Sequence, residues 1–370
     1  MPAACEARID LEAIRHNVRL LRASSSGAEL MAVVKANGYG HGLLPTARAA
    51  LQAGATWLGT ATIDEALTLR RAGVTCRVLT WLNAPGARWG EAVGSDIDLS
   101  AAGCDAVAEI ASAAAEIGRP ARVHLEVDSG LGRGGASSQE WPALVETALR
   151  AESMGLVRVV GLWSHLGASD DPSGPATHRQ LDVFRAALDI AERLGARPEV
   201  RHLANSAATL LVPDAHFDLV RPGVAIYGLW PGRPFSPVDL RPAMTLVGRL
   251  AKTKRVAAGQ GVSYGHDYVT TEDTVLGLVP LGYADGVPRS AGDTVSVLAA
   301  GRRHRIAGRV SMDQFVLDLG DVRAAAGDEV ILFGPGDQGE PTATDWARTL
   351  GTISQEIVTA VGDRVERTYC

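Results

Sequence analysis

The chain predicts a (β/α)8 barrel followed by a smaller, mainly β domain, and three observations carry that prediction. First, the opening two-thirds of its 370 residues alternate short apolar runs with helix-like stretches. Second, eight of the apolar runs read as strands, the number a closed barrel needs. Third, the texture changes after the Pro-rich stretch 231–242 (PGRPFSPVDLRP), beyond which short strands and Gly-bearing turns prevail.

The elements follow in order. A helix opens at Asp10, a good capping residue, and sets Leu11, Ile14, Val18 and Leu21 on one face. The strand candidates are 30–34, 56–60, 77–82, 96–99, 122–127, 157–163, 199–203 and 217–220. Helical patterns at 43–53, 64–72, 101–117, 142–151 and 177–194 separate most of them. An open doubly wound sheet is the alternative reading of the same alternation. The second domain carries strand candidates at 244–252, 274–280, 294–298, 305–307, 314–318 and 329–333, with closing helices at 344–350 and 353–361. The expected division is 1–235 for the barrel and 236–370 for the β domain.

Composition narrows the function classes. Hydrophobic residues make up 46% and charged residues 21%, as in a folded globular protein. The net charge of −6 comes with no dense basic tract, which argues against a nucleic-acid partner. No apolar run reaches the roughly 18 residues of a membrane helix. Glu6, Asp10 and Glu12 stand where a signal peptide would be apolar, so a cytoplasmic protein is expected. Cys5, Cys76, Cys104 and Cys370 form no CxxC pair, so neither a zinc site nor a disulfide framework is suggested.

In a barrel, chemistry belongs at the C-terminal ends of the strands. Lys35 follows the first strand candidate, Glu126 and Arg133 end or follow the fifth, and His165 follows the sixth. Asn205 and Ser206 follow the seventh, and Arg221 and Gly223 the eighth. A lysine on a short tether over a barrel mouth suits Schiff-base chemistry, since desolvation and nearby cations lower its pKa. Context alone leaves a surface lysine in a Gly-rich loop equally open. Ser206, Gly223 and loop amides are suited to an anion nest, and phosphate sites after the last two strands are common in this fold. Taken singly, Ser206 also reads as part of a helix start, Arg221 as a surface turn and Glu126 as an outward strand residue. Tyr264 likewise reads as a strand tyrosine and His165 as a core histidine.

The segment AVVKANGYGHG at 32–42 resembles the cofactor-lysine signature of alanine racemases. The similarity continues through HLEVDSGLGR, WSHL, ANSAA, VRPGVAIYG, VSYG, PLGYADGVPR, GRVSMDQ and TISQEIVT, over essentially the whole chain. The resemblance implies pyridoxal 5'-phosphate as cofactor, a small amino-acid substrate, interconversion of L- and D-alanine, and a head-to-tail homodimer with shared active sites. It implies that Lys35 and Tyr264 are the two catalytic bases. His165 is implied beside the tyrosine, with Arg221 facing the cofactor's ring nitrogen. Tyr39, Asn205, Ser206, Gly223, Val224 and Gln355 are the implied cofactor contacts. Arg133, Glu126, Tyr283, Met312 and Asp313 are implied around the substrate, the last three from the partner, with Arg289, Arg309 and Asp171 along its access channel. No metal is implied.

Departures from the family pattern concentrate near the site. Glu126 stands where many relatives carry a carbamylated lysine bracing Arg133, so a carboxylate is expected to supply that anion directly. Gln355 replaces a usual tyrosine, Arg133-Gly134-Gly135 replaces Arg-Leu-Gly, and Val365-Glu366-Arg367 replaces Val-Pro-Arg. These changes leave open a broad or serine-preferring racemase or an aldol-type enzyme of the same fold. A non-catalytic pyridoxal-phosphate carrier is a further alternative, opposed by the complete β domain.

Overall fold

A computed structural model describes residues 4–230 and 238–370. Eight parallel strands form the first body: Glu29–Val33, Trp57–Thr60, Arg77–Thr80, Asp98–Ala101, Ala121–Glu126, Val157–Trp163, Val200–His202 and Leu219–Val220. They follow chain order around the sheet, and the eighth pairs with the first, Glu29 opposite Leu219 and Leu30 opposite Val220. The seam between the seventh and eighth is joined by Asp218 N–H donating to the Arg201 carbonyl at 3.1 Å. The result is a nearly closed barrel, and the doubly wound alternative is not the observed topology.

Local sequence explains the helices around it. The Asp10 side chain accepts from the Ala13 amide at 2.8 Å and starts Leu11–Ala23, whose buried face is Ala13, Ile14, Val18 and Leu21. Thr62 and Glu65 form a reciprocal capping box that starts the helix Ile63–Arg71. Pro175 sits in the first turn of Pro175–Leu194, where its missing N–H is harmless, and Gly195 ends the helix in a left-handed conformation. The short helix Trp89–Gly94 has no counterpart among the sequence patterns; six residues are too few to display a period.

The second body holds a six-stranded sheet in the order Arg302–Arg305, Ser296–Ala299, Glu329–Phe333, Met244–Arg249, Cys5–Ile9, Glu366–Tyr369. Beside it lie a three-stranded sheet (Lys252–Val256, Thr274–Val279, Phe315–Asp318) and a hairpin (Gly261–Val262, Tyr268–Val269). Cys5–Ile9 pairs antiparallel with Met244–Arg249 and parallel with Glu366–Tyr369, so the start of the chain is built into the β domain before the barrel begins. The expected division at 235/236 falls outside the described residues. One strand expectation shifts: the ladder runs over Arg302–Arg305, and Ile306 makes only an isolated bridge to Leu317, so 305–307 is not a strand. Among the described residues no helix is long and apolar enough to cross a membrane.

Candidate active site

A cavity of about 690 Å³ opens at the C-terminal mouth of the barrel. Lys35, Tyr39, Glu126, Arg133, His165, Asn205, Ser206, Arg221, Gly223, Val224 and Gln355 all line it. Residues far apart in sequence meet there because parallel strands deliver all their following loops to one rim.

Lys35 enters the cavity from an unusual turn. Ala36, Asn37, Gly38 and Tyr39 all have positive φ, between 51° and 62°. Three of these four are not glycine, and each carries the steric cost of a left-handed backbone. The turn is pinned by its surroundings: Ala36 N–H donates to Glu65 at 2.6 Å, and Leu43 N–H donates to the Asn37 side chain at 2.9 Å. Arg367 donates to the Gly40 carbonyl at 3.1 Å, and a Cβ on Gly40 would lie 2.5 Å from the Val358 carbonyl. The C-terminal segment thus braces the loop that carries Lys35. The ammonium lies 6.0 Å from the centre of the Trp81 ring. Burial, with Arg133 adding to it, draws the Lys35 amine below its usual range, against a smaller pull from Glu65.

At the other side of the cavity, Ser206 Oγ accepts from the amides of Gly223 at 2.8 Å and Ala225 at 3.3 Å. A Cβ on Gly223 would lie 2.5 Å from the Tyr39 hydroxyl, so only glycine lets that hydroxyl approach. Burial pushes the Tyr39 phenol up to about 12, keeping it a hydrogen-bond donor at neutral pH. Asn205 Oδ1 accepts from Ala208 N–H at 3.1 Å and so caps Ser206–Leu211. Asn205 Nδ2 donates to the Leu166 carbonyl at 3.1 Å, so its side chain ties the cap to the cavity wall.

Arg221 is buried in the wall. It donates to His202 Nδ1 at 3.0 Å, to the Ser164 carbonyl at 2.7 Å and to His165 Nδ1 at 3.4 Å. Burial draws the guanidinium down to about 9, partly offset by Glu126, which leaves it a cation at neutral pH. Burial and the cations Arg221, Arg133 and Lys35 push His165 down to about 3, so its ring is neutral.

Glu126 departs from its expectation. Among the described residues it forms no ion pair or hydrogen bond with Arg133, though both line the cavity. Burial lifts its carboxyl to about 7 against the pull of Arg221 and Arg133. At neutral pH it is therefore near half-protonated rather than a fixed anion. A Cβ on Gly134 would sit 3.2 Å from Glu126 Oε1, so the two departures from the family pattern, Glu126 and Gly134, face each other.

A second constellation lies on the β domain and does not line the cavity of its own chain. Tyr264 is 70% exposed, Met312 53% and Tyr283 45%. Backbone bonds from Tyr283 N–H to the Ser311 carbonyl at 3.1 Å and from Ala284 N–H to the Met312 carbonyl at 3.0 Å hold two of these segments together. Arg364 bridges Asp313 at 2.8 Å and the buried Asp285 at 3.0 Å. Tyr264 projects from a tight turn whose neighbour Arg309 pairs with Asp267 at 2.5 Å. Arg289 occupies another short turn, Arg289–Ala291. Asp171 lies on the barrel side, closing the turn before Pro175–Leu194 by accepting Gly174 N–H and Thr177 Oγ1–H at its carbonyl.

Sequence reading missed several cavity and wall residues. Trp81, Asn83 and Trp163 line the cavity, and the side-chain nitrogen of Asn83 is buried with no hydrogen-bond partner among the described residues. His202, His124 and Asp98 stand in the barrel interior. A signal for the last three existed: polar residues inside runs that otherwise read as buried strands.

Comparison with known proteins agrees over both bodies. The family description "Alanine racemase, N-terminal domain" matches residues 9–231, and "Alanine racemase, C-terminal domain" matches residues 243–369. The chain is 59% identical to the alanine racemase of Frankia casuarinae, covering 98% of this chain and 95% of that one. It is 57% identical to that of Salinispora arenicola, with 98% of each covered. The crystal structure of alanine racemase from D-cycloserine-producing Streptomyces lavendulae superposes with a TM-score of 0.97 at 52% identity, covering 100% of this chain and 98% of that one. Matched over both bodies and at more than half identity to these relatives, the chain belongs to the alanine racemase family.

Proposed function

We propose that this protein interconverts L- and D-alanine with pyridoxal 5'-phosphate as cofactor, working as a homodimer whose sites are completed across subunits. The observation that carries the reading is one cavity holding a desolvated lysine, a buried arginine and a hydroxyl-and-amide cradle. The cradle fits a phosphate: Ser206 and Tyr39 offer hydroxyls, Val224 a loop amide, and Gly223 leaves room where a Cβ would intrude. Lys35, its pKa lowered, would hold the aldehyde carbon, and Arg221 would face the ring nitrogen. When bound, pyridoxal phosphate supplies the electron sink that lets an amino acid release its α-proton.

The protein residues then divide the work. Racemisation needs a proton taken from one face of a carbon and returned on the other. The Lys35 amine serves one face. Tyr264 of the partner subunit serves the other, consistent with its exposure here. His165 has its Nδ1 turned to Arg221, a group that only donates. Its ring proton therefore sits on Nε2, free to donate to the phenol oxygen of the partner's Tyr264 and favour its anion. Arg133 would orient the substrate carboxylate. Arg221, a fixed cation at the ring nitrogen, disfavours a second proton there and so suppresses transamination.

Gln355 favours a second reading, with relaxed specificity that includes serine. It lines the cavity from the helix Ser354–Thr359, where a tyrosine would fill more volume and close an aromatic wall. The test is a chiral product assay on L-alanine and L-serine with added cofactor, for the wild type and Gln355→Tyr. Racemisation of alanine is expected, with some activity on serine that Gln355→Tyr reduces. No racemisation of either substrate overturns the proposal, and a steep alanine preference that Gln355→Tyr leaves unmoved removes the second reading.

A further inference from the structure

Barrel interiors are ordinarily packed with Val, Ile and Leu. This one holds a file of buried polar groups running from the bottom of the barrel to the wall of the cavity. Asp98, His124 and His202 are each fully buried. Asp98 is paired with Arg77 at 2.8 Å and with Arg122 Nε at 2.7 Å. Its Oδ2 lies 3.1 Å from His124 Nε2, His124 Nδ1 lies 2.8 Å from His202 Nε2, and His202 Nδ1 lies 3.0 Å from Arg221.

We infer that Asp98, His124 and His202 form a positioning relay that fixes the ring protons of both histidines and thereby holds Arg221 at the cavity wall. The direction of every bond is forced from either end. A guanidinium has donors only, so His202 Nδ1 must be bare and its proton must sit on Nε2. That N–H points at His124 Nδ1, which must then be bare, leaving the His124 proton on Nε2. A carboxylate has acceptors only, and Asp98 receives it. Reversing one ring would set two N–H groups or two lone pairs against each other in a fully buried site.

The surroundings are shaped for this file. A Cβ on Gly161 would lie 2.0 Å from His124 Nδ1, so the sixth barrel strand, Val157–Trp163, leaves space there for that ring. The pairing of Ala121–Glu126 with Val157–Trp163 shifts register between Val123 and His124. Trp163 stacks on His202 with ring centres 5.7 Å apart and planes 7° from parallel, and Arg221 lies 4.9 Å from the Trp163 ring centre. Burial would raise the Asp98 carboxyl, but His124 and Arg122 outweigh it and hold it at about 2. Burial, Arg221 and His124 keep His202 neutral. An apolar core would fill the barrel without these demands, so the file is explained by what it holds at its upper end.

This deepens the proposed function and rests on its reading of Arg221. If His202 could change tautomer or take up a proton, it would present N–H to the guanidinium and release it from the ring nitrogen. Racemisation would fall and transamination rise. The relay is tested first without cofactor, by two-bond 1H–15N NMR of the apoprotein labelled in histidine. Both His124 and His202 should be neutral Nε2–H tautomers, unchanged between pH 8 and pH 6; an Nδ1–H or doubly protonated ring at either position overturns the relay. The second measurement is His124→Phe, in which His202 loses its acceptor. Arg221 still holds Nδ1 bare, so the Nε2–H tautomer should persist, but the ring loses its anchor and the ratio of transamination to racemisation should rise roughly tenfold or more, the range for weakening one hydrogen bond to a charged group. An unmoved ratio would also overturn it. Expected tautomers in a wild type that racemises nothing would uphold the relay and sink the reaction instead, and the wild-type spectrum stands even if His124→Phe fails to fold.

Discussion

Glu126 sits near the midpoint of its titration at neutral pH, because burial lifts its carboxyl to about 7 against Arg221 and Arg133. As pH rises through 7 the group becomes an anion beside two cations, and below 7 it is increasingly a neutral acid. Arg133 is therefore steadied from the alkaline side only. Glu126→Gln should raise KM for the amino acid more than it lowers kcat, and should flatten the pH dependence of KM around 7. A wild-type KM that is level across that range would count against the assignment. Activity should not respond to bicarbonate depletion, since no lysine occupies position 126 to be carbamylated. The presence of Glu126 and Arg133 at one site was legible in the sequence, seven residues apart at a strand end. Their electrostatics were not, because a pKa depends on burial and on cations from other strands.

At the scale of elements, the barrel was legible because each strand is a short apolar run ended by turn residues, and periodicity reports such runs directly. Cys5–Ile9 was not: a five-residue edge-to-centre strand that pairs with residues more than two hundred positions away leaves no local mark. The lysine turn shows the same limit. Its glycines announce a tight bend, but the left-handed Ala36, Asn37 and Tyr39 are imposed by Glu65, Asn37 itself and the C-terminal segment. Asn tolerates that conformation better than Ala and also binds the Leu43 amide. Asn37→Ala should cost about 1–3 kcal/mol of stability, read from urea midpoints; an unchanged midpoint would mean the turn is not under this constraint. His41 closes the same loop, donating from Nδ1 to the Tyr39 and Gly38 carbonyls and packing against Tyr227 with ring centres 4.6 Å apart. Burial draws it down to about 4. Its contribution is complete above the unfolded value of about 6.5 and is lost as pH falls from there towards 4, because the unfolded chain takes up the proton first. By pH 5 that amounts to about 2 kcal/mol. His41→Phe should be less stable at pH 7 but show a shallower loss between pH 6.5 and 5, and a parallel pH profile would contradict the account.

At the scale of the whole molecule, two groups of residues named in the proposed chemistry do not meet within one chain. The barrel mouth offers Lys35, Arg221, His165 and the phosphate cradle, while Tyr264, Tyr283, Met312 and Asp313 face outward from the β domain. Large exposed side chains grouped on one surface fit an interface better than a free surface. A head-to-tail dimer would give each cavity the other chain's tyrosine, and the proposed chemistry depends on that exchange. The most direct test mixes two inactive homodimers, Lys35→Ala and Tyr264→Phe, each expected to lose roughly 10²–10⁴-fold by removal of one acid/base group. With random subunit exchange, half the dimers are mixed and each holds one intact site, so roughly a quarter of wild-type racemisation should return. Mixed dimers that form, as detected by native mass spectrometry, and yet remain as inactive as their parents would contradict a site shared between subunits.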